Sequence, residues 1–418
     1  MAERGPEVVV VGAGQAGLST SYCLSGLGID HTVLERGVLG DSWSQRRWDS
    51  FTLVTPNWTV RLPGAEYRGP DPDGFMGRDE FSSYLAHWAE SFGSPVRTGV
   101  GATGLGRGRN GRLRVDTTDG PLEAPVVVVA TGTMQTPRRP GFADFLSPRV
   151  LQLDAETYRN PEDLPSGTVL VVGSGQTGGQ IADDLRRAGR RVLLSVGGAG
   201  RVPRRYRGRD CIAWLEELGF FDRTPDMLES PAQRFRAEVQ ASGRDGGRAI
   251  GAHRFLRDGI ELLGKLTAAD GETMRFADDL RRNIESADEF SRTFRRNVDA
   301  LVESNGIDVP LPTAGELDGE PPDGGWSVPH IPAIDLRDEN VATVIWATGF
   351  SFDFSWIGFP VLDGMGYPVT DRGATTVPGL YFMGLNWMVT RKSGLLYGVG
   401  DDARHVAGHI SRYLGSRR

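Results

Sequence analysis

The sequence predicts an α/β protein of two open, mostly parallel-stranded units, the second inserted in the first. Three observations predict it. First, a β-branched run, Val8-Val9-Val10-Val11, ends in Gly12-Ala13-Gly14-Gln15-Ala16-Gly17, and a second, Thr168-Val169-Leu170-Val171-Val172, ends in Gly173-Ser174-Gly175-Gln176-Thr177-Gly178. Second, two further runs stop at matching tripeptides: Val126-Val127-Val128-Val129 before Ala130-Thr131-Gly132, and Val344-Ile345-Trp346 before Ala347-Thr348-Gly349. Third, 57 of 418 residues are glycine, with no collagen-like period, so glycine is expected at specific turns and close approaches.

Each run before a glycine turn reads as a buried parallel strand. Helical patterns follow, carrying Leu18, Tyr22 and Leu24 toward Gly28, and Ile181, Ala182 and Leu185 toward Gly189. Glycine just past the last apolar turn is a helix stop. The next strand of the first unit, His31-Thr32-Val33-Leu34, closes on Glu35; its counterpart, Arg191-Val192-Leu193-Leu194, closes on Ser195. Breakers at Pro137-Arg138-Arg139-Pro140, and from Asn160-Pro161 to Pro165-Ser166-Gly167, put a boundary near residue 160. Residues 210–306 read as mostly helical. Ser286-Ala287-Asp288-Glu289 has capping-box form, Phe290, Phe294, Val298 and Leu301 make a core-facing stripe, and Gly306 ends it. Residues 309–332, with six prolines, read as a long loop leading back to the first unit. The expected division is therefore 1–160 for the first part of one domain, 161–332 for an inserted domain with a helical insertion, and 333–418 for the remainder of the first.

A strand that ends in Gly-x-Gly-x-x-Gly before a helix suits a pyrophosphate. The first glycine makes the turn, the second admits the phosphates, the third lets helix and strand pack, and the helix N-terminus offers free N–H groups and a positive dipole end. Two such turns predict two Rossmann-like dinucleotide-binding domains (the FAD/NAD(P)-binding fold). Glu35 stands at the position of the carboxylate that accepts from ribose hydroxyls in dinucleotides without a 2′-phosphate. At the matching place the second unit has Ser195, followed by Arg201, Arg204, Arg205, Arg207 and Arg209. Serine and arginine would hold a 2′-phosphate that a carboxylate would repel. The first site is expected to take FAD (or NAD) and the second NADPH.

Other classes are disfavoured. A net charge of −7 argues against a nucleic-acid binder. The longest apolar runs are too short to span a bilayer. The start, Met1-Ala2-Glu3-Arg4, lacks a secretory pattern, and a reducing cytoplasm is the expected compartment. Two cysteines, Cys23 and Cys211, make neither a disulfide framework nor a CxxC pair. His405 and His409 are spaced for one helix face but lack a third ligand, so no metal is expected.

These motifs, with Gly40-Asp41-Ser42-Trp43, Phe350 after the second tripeptide, Pro203-Arg204-Arg205-Tyr206-Arg207-Gly208-Arg209-Asp210 and the tail from Pro378 to Gly400, resemble the flavin-containing (class B) monooxygenases, in a branch of small bacterial single-chain members. Plant-type indole-pyruvate monooxygenases are similar at greater distance. The resemblance implies FAD on the first unit and NADPH on the second. It further implies hydride transfer to the flavin, a flavin hydroperoxide formed with O₂, and oxygenation of a small organic substrate: N- or S-oxygenation, or Baeyer–Villiger or oxidative decarboxylation chemistry. The cofactor-binding set it implies is Gly12, Gly14, Gln15, Ala16, Gly17, Glu35, Arg36, Trp43, Val100, Thr131 and Gly132, with Gly384, Leu395 and Leu396 from the tail; for the second turn it is Gly173, Gly175, Gln176, Thr177, Gly178, Ser195, Arg201, Arg204, Thr348 and Gly349. A helix starting near Leu395 would aim its dipole at the reduced flavin. Thr55 and Asn57, in Thr55-Pro56-Asn57-Trp58, are the catalytic candidates, offset by one from the family's Thr-Asn pair. Where the family has a histidine, this chain has Asp154, while Tyr158 matches. The substrate stays open. The expected partners are a small molecule and O₂, with no nucleic acid and no membrane, and a homodimer is the candidate assembly. Two alternatives remain: a flavoprotein reductase or oxidase passing electrons to a partner or to O₂, and a nucleotide-binding redox sensor without turnover.

Overall fold

The computed structural model describes residues 5–236, 238–317, 320–321 and 326–417. Two five-stranded parallel sheets dominate it. The first holds β1 (Val8–Val11), β2 (His31–Glu35), β3 (Val96–Thr98), β4 (Val126–Val129) and β10 (Leu380–Phe382), in the order β10-β4-β1-β2-β3. The second holds β5 (Leu151–Asp154), β6 (Thr168–Val172), β7 (Val192–Ser195), β8 (Glu261–Leu263) and β9 (Val341–Trp346), in the order β5-β9-β6-β7-β8. In each sheet the strand before the Ala-Thr-Gly tripeptide lies beside the strand before the glycine turn.

The all-apolar runs are explained by burial on both faces. Every residue of β1 is buried. Val8 and Val10 face one core, Val9 and Val11 another. In β6, Val169 and Val171 join the core of Val8 and Val10, while Leu170 and Val172 face a third. One apolar layer is thus common to both sheets and fixes the units against each other. Helix α1 (Gln15–Gly26) follows the first glycine turn and packs on the C-terminal helix α4 (Val399–Gly415); α2 (Gln176–Arg187) follows the second turn.

Several expectations are corrected. Residues 210–306 are not mostly helical: β8 lies here, and residues 266–276 form an antiparallel hairpin. One long helix, α3 (Leu280–Asn305), fills the end of the segment. Its N-cap is Asp279, so the Ser286–Glu289 pattern falls inside the helix, where it caps nothing. Gly306 does end it, in the left-handed region. Phe294 and Val298 face the core, but Phe290 is largely exposed.

The two boundaries also move. Leu151–Asp154, placed before residue 160 in the first domain, pairs with β9 in the second sheet. Residues 309–332 do not lead back to the first unit: Ala333–Asp335 adds to the 266–276 hairpin and β9 enters the second sheet, so the return comes after β9, where Phe354 and Ile357 join the core of Val9 and Val11 and β10 then joins the first sheet. Parts of that loop, 318–319 and 322–325, and the start at Met1–Arg4 lie outside the described residues.

Candidate active site between two glycine turns

The two turns are built alike. Gly12 N–H donates to Leu34 O at 2.7 Å, and Gly173 N–H to Ser195 O at 3.1 Å. Ala130 N–H donates to Val11 O at 2.8 Å, and Ala347 N–H to Val172 O at 2.9 Å. A Cβ on Gly12 would stand 2.5 Å from Ala130 O, and one on Gly173 2.5 Å from Ala347 O. Gly17 and Gly178 press on the carbonyls of Gly12 and Gly173, closer than any side chain allows. Gly14 and Gly175 are N-caps without a side-chain cap, so the first-turn N–H groups of α1 and α2 are free of side-chain acceptors. A Cβ at Gly14 would meet nothing within 4 Å. The space before it is open, as a close-approaching phosphate requires.

A cavity of about 490 Å³ lies over the first turn. Gly12, Gly14, Gln15, Ala16, Glu35, Arg36, Val100, Thr131, Gly132 and Gly384 line it. Glu35 is buried. Its Oε2 accepts from Ala13 N–H at 2.8 Å and its Oε1 from Gly37 N–H at 3.0 Å, which aims the carboxylate across the turn. These residues meet as the sequence suggested.

A second cavity, about 370 Å³, lies between the units. It shares Gln15, Ser42, Thr131, Gly132 and Met134 with the first. Gln15 reaches it from α1, and Gln176 and Thr177 from α2. Trp43, Trp48, Phe51, Phe220, Phe221 and Tyr397 make much of its wall, with Leu395 and Leu396 from the tail. Trp43 Nε1 donates to Gln15 Oε1 at 3.2 Å. Helix α4 begins at Val399 rather than near Leu395, and Leu395 itself is extended. Thr55 lines this cavity and accepts from Thr59 Oγ1 at 2.8 Å.

Asn57 does not serve as expected. It is buried, its Nδ2 donates to Asp71 O at 3.0 Å, and its Oδ1 accepts from Met76 N–H at 2.8 Å. The amide is spent on holding two backbone segments together. Tyr158 likewise donates to Asp184 at 2.7 Å, and Asp154 pairs with Arg139 at 2.6 Å.

The 2′-phosphate expectation is corrected too. Ser195 Oγ donates to Gly264 O at 3.0 Å and accepts from Leu266 N–H at 3.1 Å. Arg201 is 2% exposed and pairs with Asp288 and Glu320, each at 2.8 Å. Burial opposes its charge, but those two carboxylates outweigh the loss and hold its pKa above the ordinary arginine value. Arg204 is buried against Asp210 at 2.6 Å and donates to Val54 O. All three side chains are committed to partners inside the protein. Thr348 likewise donates to Arg138 O, and Gly349 sits beside the Arg138 guanidinium.

Sequence reasoning missed Arg47, Cys211, Phe220 and Phe221, which line the second cavity. Arg47 offered a signal, an arginine between Trp43 and Phe51 just after the Gly-Asp-Ser-Trp segment. The others come from a stretch without a motif. Burial pushes the Cys211 thiol up to about 12, so it stays protonated. His409 pairs with Tyr381 at 2.8 Å, and no group able to hold a metal occurs among the described residues.

The family model described as pyridine nucleotide-disulphide oxidoreductase matches residues 9–211. An uncharacterized CzcO-like oxidoreductase of Geobacillus kaustophilus is 32% identical over 407 residues, covering 97% of this chain and 98% of that protein. The chain belongs to the CzcO-like oxidoreductases. A rice (Oryza sativa) indole-3-pyruvate monooxygenase, YUCCA1, is 31% identical over 198 residues, 46% of this chain and 48% of that one. A flavin-containing monooxygenase from Stenotrophomonas maltophilia shares the fold, with a TM-score of 0.65 at 20% identity, covering 98% and 99% of the two chains. A structure described as OTEMO in complex with FAD and NADP shares the fold as well, with a TM-score of 0.58 at 15% identity, covering 99% of this chain and 87% of that one. No helix among the described residues is long and apolar enough to cross a membrane.

Proposed function

We propose that this enzyme consumes NADPH and O₂ to oxygenate a small organic molecule in the 370 Å³ cavity. One observation carries the reading: the dinucleotide cavity over the first glycine turn continues into an apolar cavity that the helix of the second turn also reaches. FAD fits the first turn, because Gly14 leaves room for its phosphates and α1 presents an uncapped N-terminus to them. Glu35 would accept from its ribose hydroxyls. NADPH would lie on Gly173, Gly175, Gln176, Thr177 and Gly178, with Ala347-Thr348-Gly349 behind the turn. When bound, the flavin would take a hydride from NADPH and deliver one oxygen atom of O₂ to the substrate.

The chain's own part is positioning and exclusion of water. Gln15 is held at the junction of the cavities by Trp43 Nε1 and by its own bond to Gly394 O at 3.3 Å. The aromatic wall keeps the junction dry, which favours transfer of oxygen to substrate over release as H₂O₂. Thr55 offers a hydroxyl in that wall.

The test is turnover of a panel of amines, sulfides, ketones and 2-oxo acids by the FAD-loaded enzyme under ¹⁸O₂. Substrate-stimulated NADPH oxidation with one labelled oxygen in the product supports the reading. Consumption of NADPH that yields only H₂O₂ with every compound would assign the chain to oxidases or reductases instead.

A further inference from the structure

Arg47 stands in the wall of the 370 Å³ cavity. Its guanidinium lies over two rings, 5.4 Å from the Trp43 centroid and 5.5 Å from that of Phe51. Such stacking fixes the plane of the group without neutralising it. A guanidinium carries five N–H donors. Here one nitrogen donates to Arg46 O at 2.9 Å and another contacts Met134 Sδ at 3.1 Å, a weak acceptor. Arg47 makes no ion pair among the described residues. The nearby carboxylate of Glu156 is taken by Arg46 at 3.1 Å. Desolvation brings the Arg47 pKa down to about 10, so the group remains a cation at neutral pH.

The remaining charge in this cavity is already balanced: Glu238, on its wall, pairs with Arg391 at 2.5 Å. The cavity thus combines an aromatic and aliphatic lining with one uncompensated positive fork. Arginines held among apolar groups are ordinarily paired, because an unpaired charge there forfeits hydration without return. Elsewhere in this chain that rule is met: Arg201 and Arg204 are each held by carboxylates. The exception faces open space.

We propose that Arg47 is the anchor for a substrate carboxylate, so that the enzyme takes organic acids with an apolar or aromatic body. The carboxylate would lie on the guanidinium fork and the body against Phe220, Phe221 and Tyr397. This assignment rests on the reading of the cavity as the substrate site and names the substrate class for it. Among the small molecules that flavin chemistry can oxygenate, it selects those carrying an anion.

The experiment compares 3-phenylpropanoate with its neutral near-isostere 3-phenylpropanamide, titrated calorimetrically into the FAD-loaded enzyme. The acid should bind at least ~10-fold more tightly than the amide, the scale of one charge-assisted pair. Arg47→Met should abolish that preference, and Arg47→Lys should keep part of it, with the protein folded and loaded with FAD in both. Equal binding of acid and amide by the parent, or no binding of either, overturns the assignment. So does an Arg47→Met enzyme that keeps the preference, or one whose main loss is in NADPH affinity, since the fork would then serve the coenzyme. A protein that discriminates acid from amide but takes up neither FAD nor NADPH would sink the functional reading and leave the anion site standing.

Discussion

The two glycine turns share strand order, hydrogen bonds and close contacts, yet what lies over them differs. Over Gly14 there is a cavity of about 490 Å³. Over Gly175 lies the segment around Gln240: its Nε2 donates to Ser174 O, and Ala241 N–H donates to Gln176 Oε1 at 3.0 Å. After the first turn Glu35 folds back onto the turn itself through Ala13 N–H. After the second, Ser195 and Arg201 turn away, toward Gly264 and toward Asp288 and Glu320. One backbone device is therefore used twice, and the side chains beyond the second strand of each unit decide how ready it is for a ligand. On the proposed assignment the first turn would receive its dinucleotide without rearrangement. The second would exchange internal partners for its own, which suits a coenzyme that comes and goes better than one that stays.

The sharpest way to break this comparison is to fill the third glycine of each turn. A methyl group at Gly17 or Gly178 collides with the carbonyl of Gly12 or Gly173, and those two residues are pinned through their N–H groups to Leu34 O and Ser195 O. Gly17→Ala should give a colourless protein. Gly178→Ala should stay yellow yet resist anaerobic reduction by NADPH. If both variants lose FAD alike, the two turns do not hold separate dinucleotides. Next in size is Arg201→Ala. Removing the guanidinium leaves Asp288 buried with only His253 beside it. Breaking such a pair costs roughly 3–5 kcal/mol. The denaturant midpoint should fall accordingly. A stable Arg201→Ala enzyme with a raised KM for NADPH and an unchanged one for NADH would restore the 2′-phosphate role that its ion pairs argue against.

Much of the scaffold was legible because it rests on local rules. Valine runs, glycine spacing and the two tripeptides name the strands, the turns and their neighbours, since each signal lies within a few residues of the structure it causes. Part of the first cavity's lining, Gly12, Gly14, Glu35, Thr131 and Gly132, followed from the same signals, whereas Asp353, Ser355 and Trp356 did not. What stayed hidden was set by distance in the chain. Arg201 and Glu320 are 119 residues apart, and nothing near either announces the other. Asn57 looked like a free amide because its partners, Asp71 and Met76, are fixed by a loop closure that no motif records. The boundaries failed for a related reason: proline-rich breakers mark where a strand cannot run, not which sheet the next strand joins. Leu151–Asp154 and β9 are brought together by pairing, across almost the whole inserted unit.

A difference behind the turns provides a third prediction. On α2, behind the second turn, Asp184 pairs with Arg244 at 2.6 Å, and Asp183 lies near Arg187 and Arg248 at 3.3 Å. On α4, which packs against the helix of the first turn, Asp402 is buried and its Oδ2 has no partner. Burial holds its carboxyl up at about 6, against 3.8 for an ordinary aspartate. The native state therefore grips this proton more tightly than the unfolded chain does. The stabilisation is complete below pH 4 and is lost as pH rises through 6. Asp402→Asn should raise stability at pH 7 by up to ~3 kcal/mol, with the gain fading toward pH 4. Urea midpoints at pH 4, 5, 6 and 7 measure it; a gain independent of pH would show that the carboxyl is not the titrating group.

The smallest effect falls on the residues that distinguish the two turns most directly. Glu35 and Ser195 occupy matching strand ends, but one faces its ligand cavity and the other supports a neighbouring strand. Glu35→Gln keeps size and one acceptor oxygen, and replaces the other oxygen with a donor facing a backbone N–H. Losing one charge-assisted bond and the anionic acceptor for ribose should weaken FAD roughly tenfold, with little change in fold. Ser195→Ala removes a hydroxyl that bridges Gly264 O and Leu266 N–H, so it should cost about 1 kcal/mol of stability and leave NADPH affinity where it was. Equilibrium titration of the apoprotein with FAD, and of the reconstituted enzyme with NADPH, separates the cases. A Ser195→Ala enzyme that lost NADPH as Glu35→Gln loses FAD would mean that the second turn also binds through its strand end, and that the serine leaves Gly264 when the coenzyme arrives.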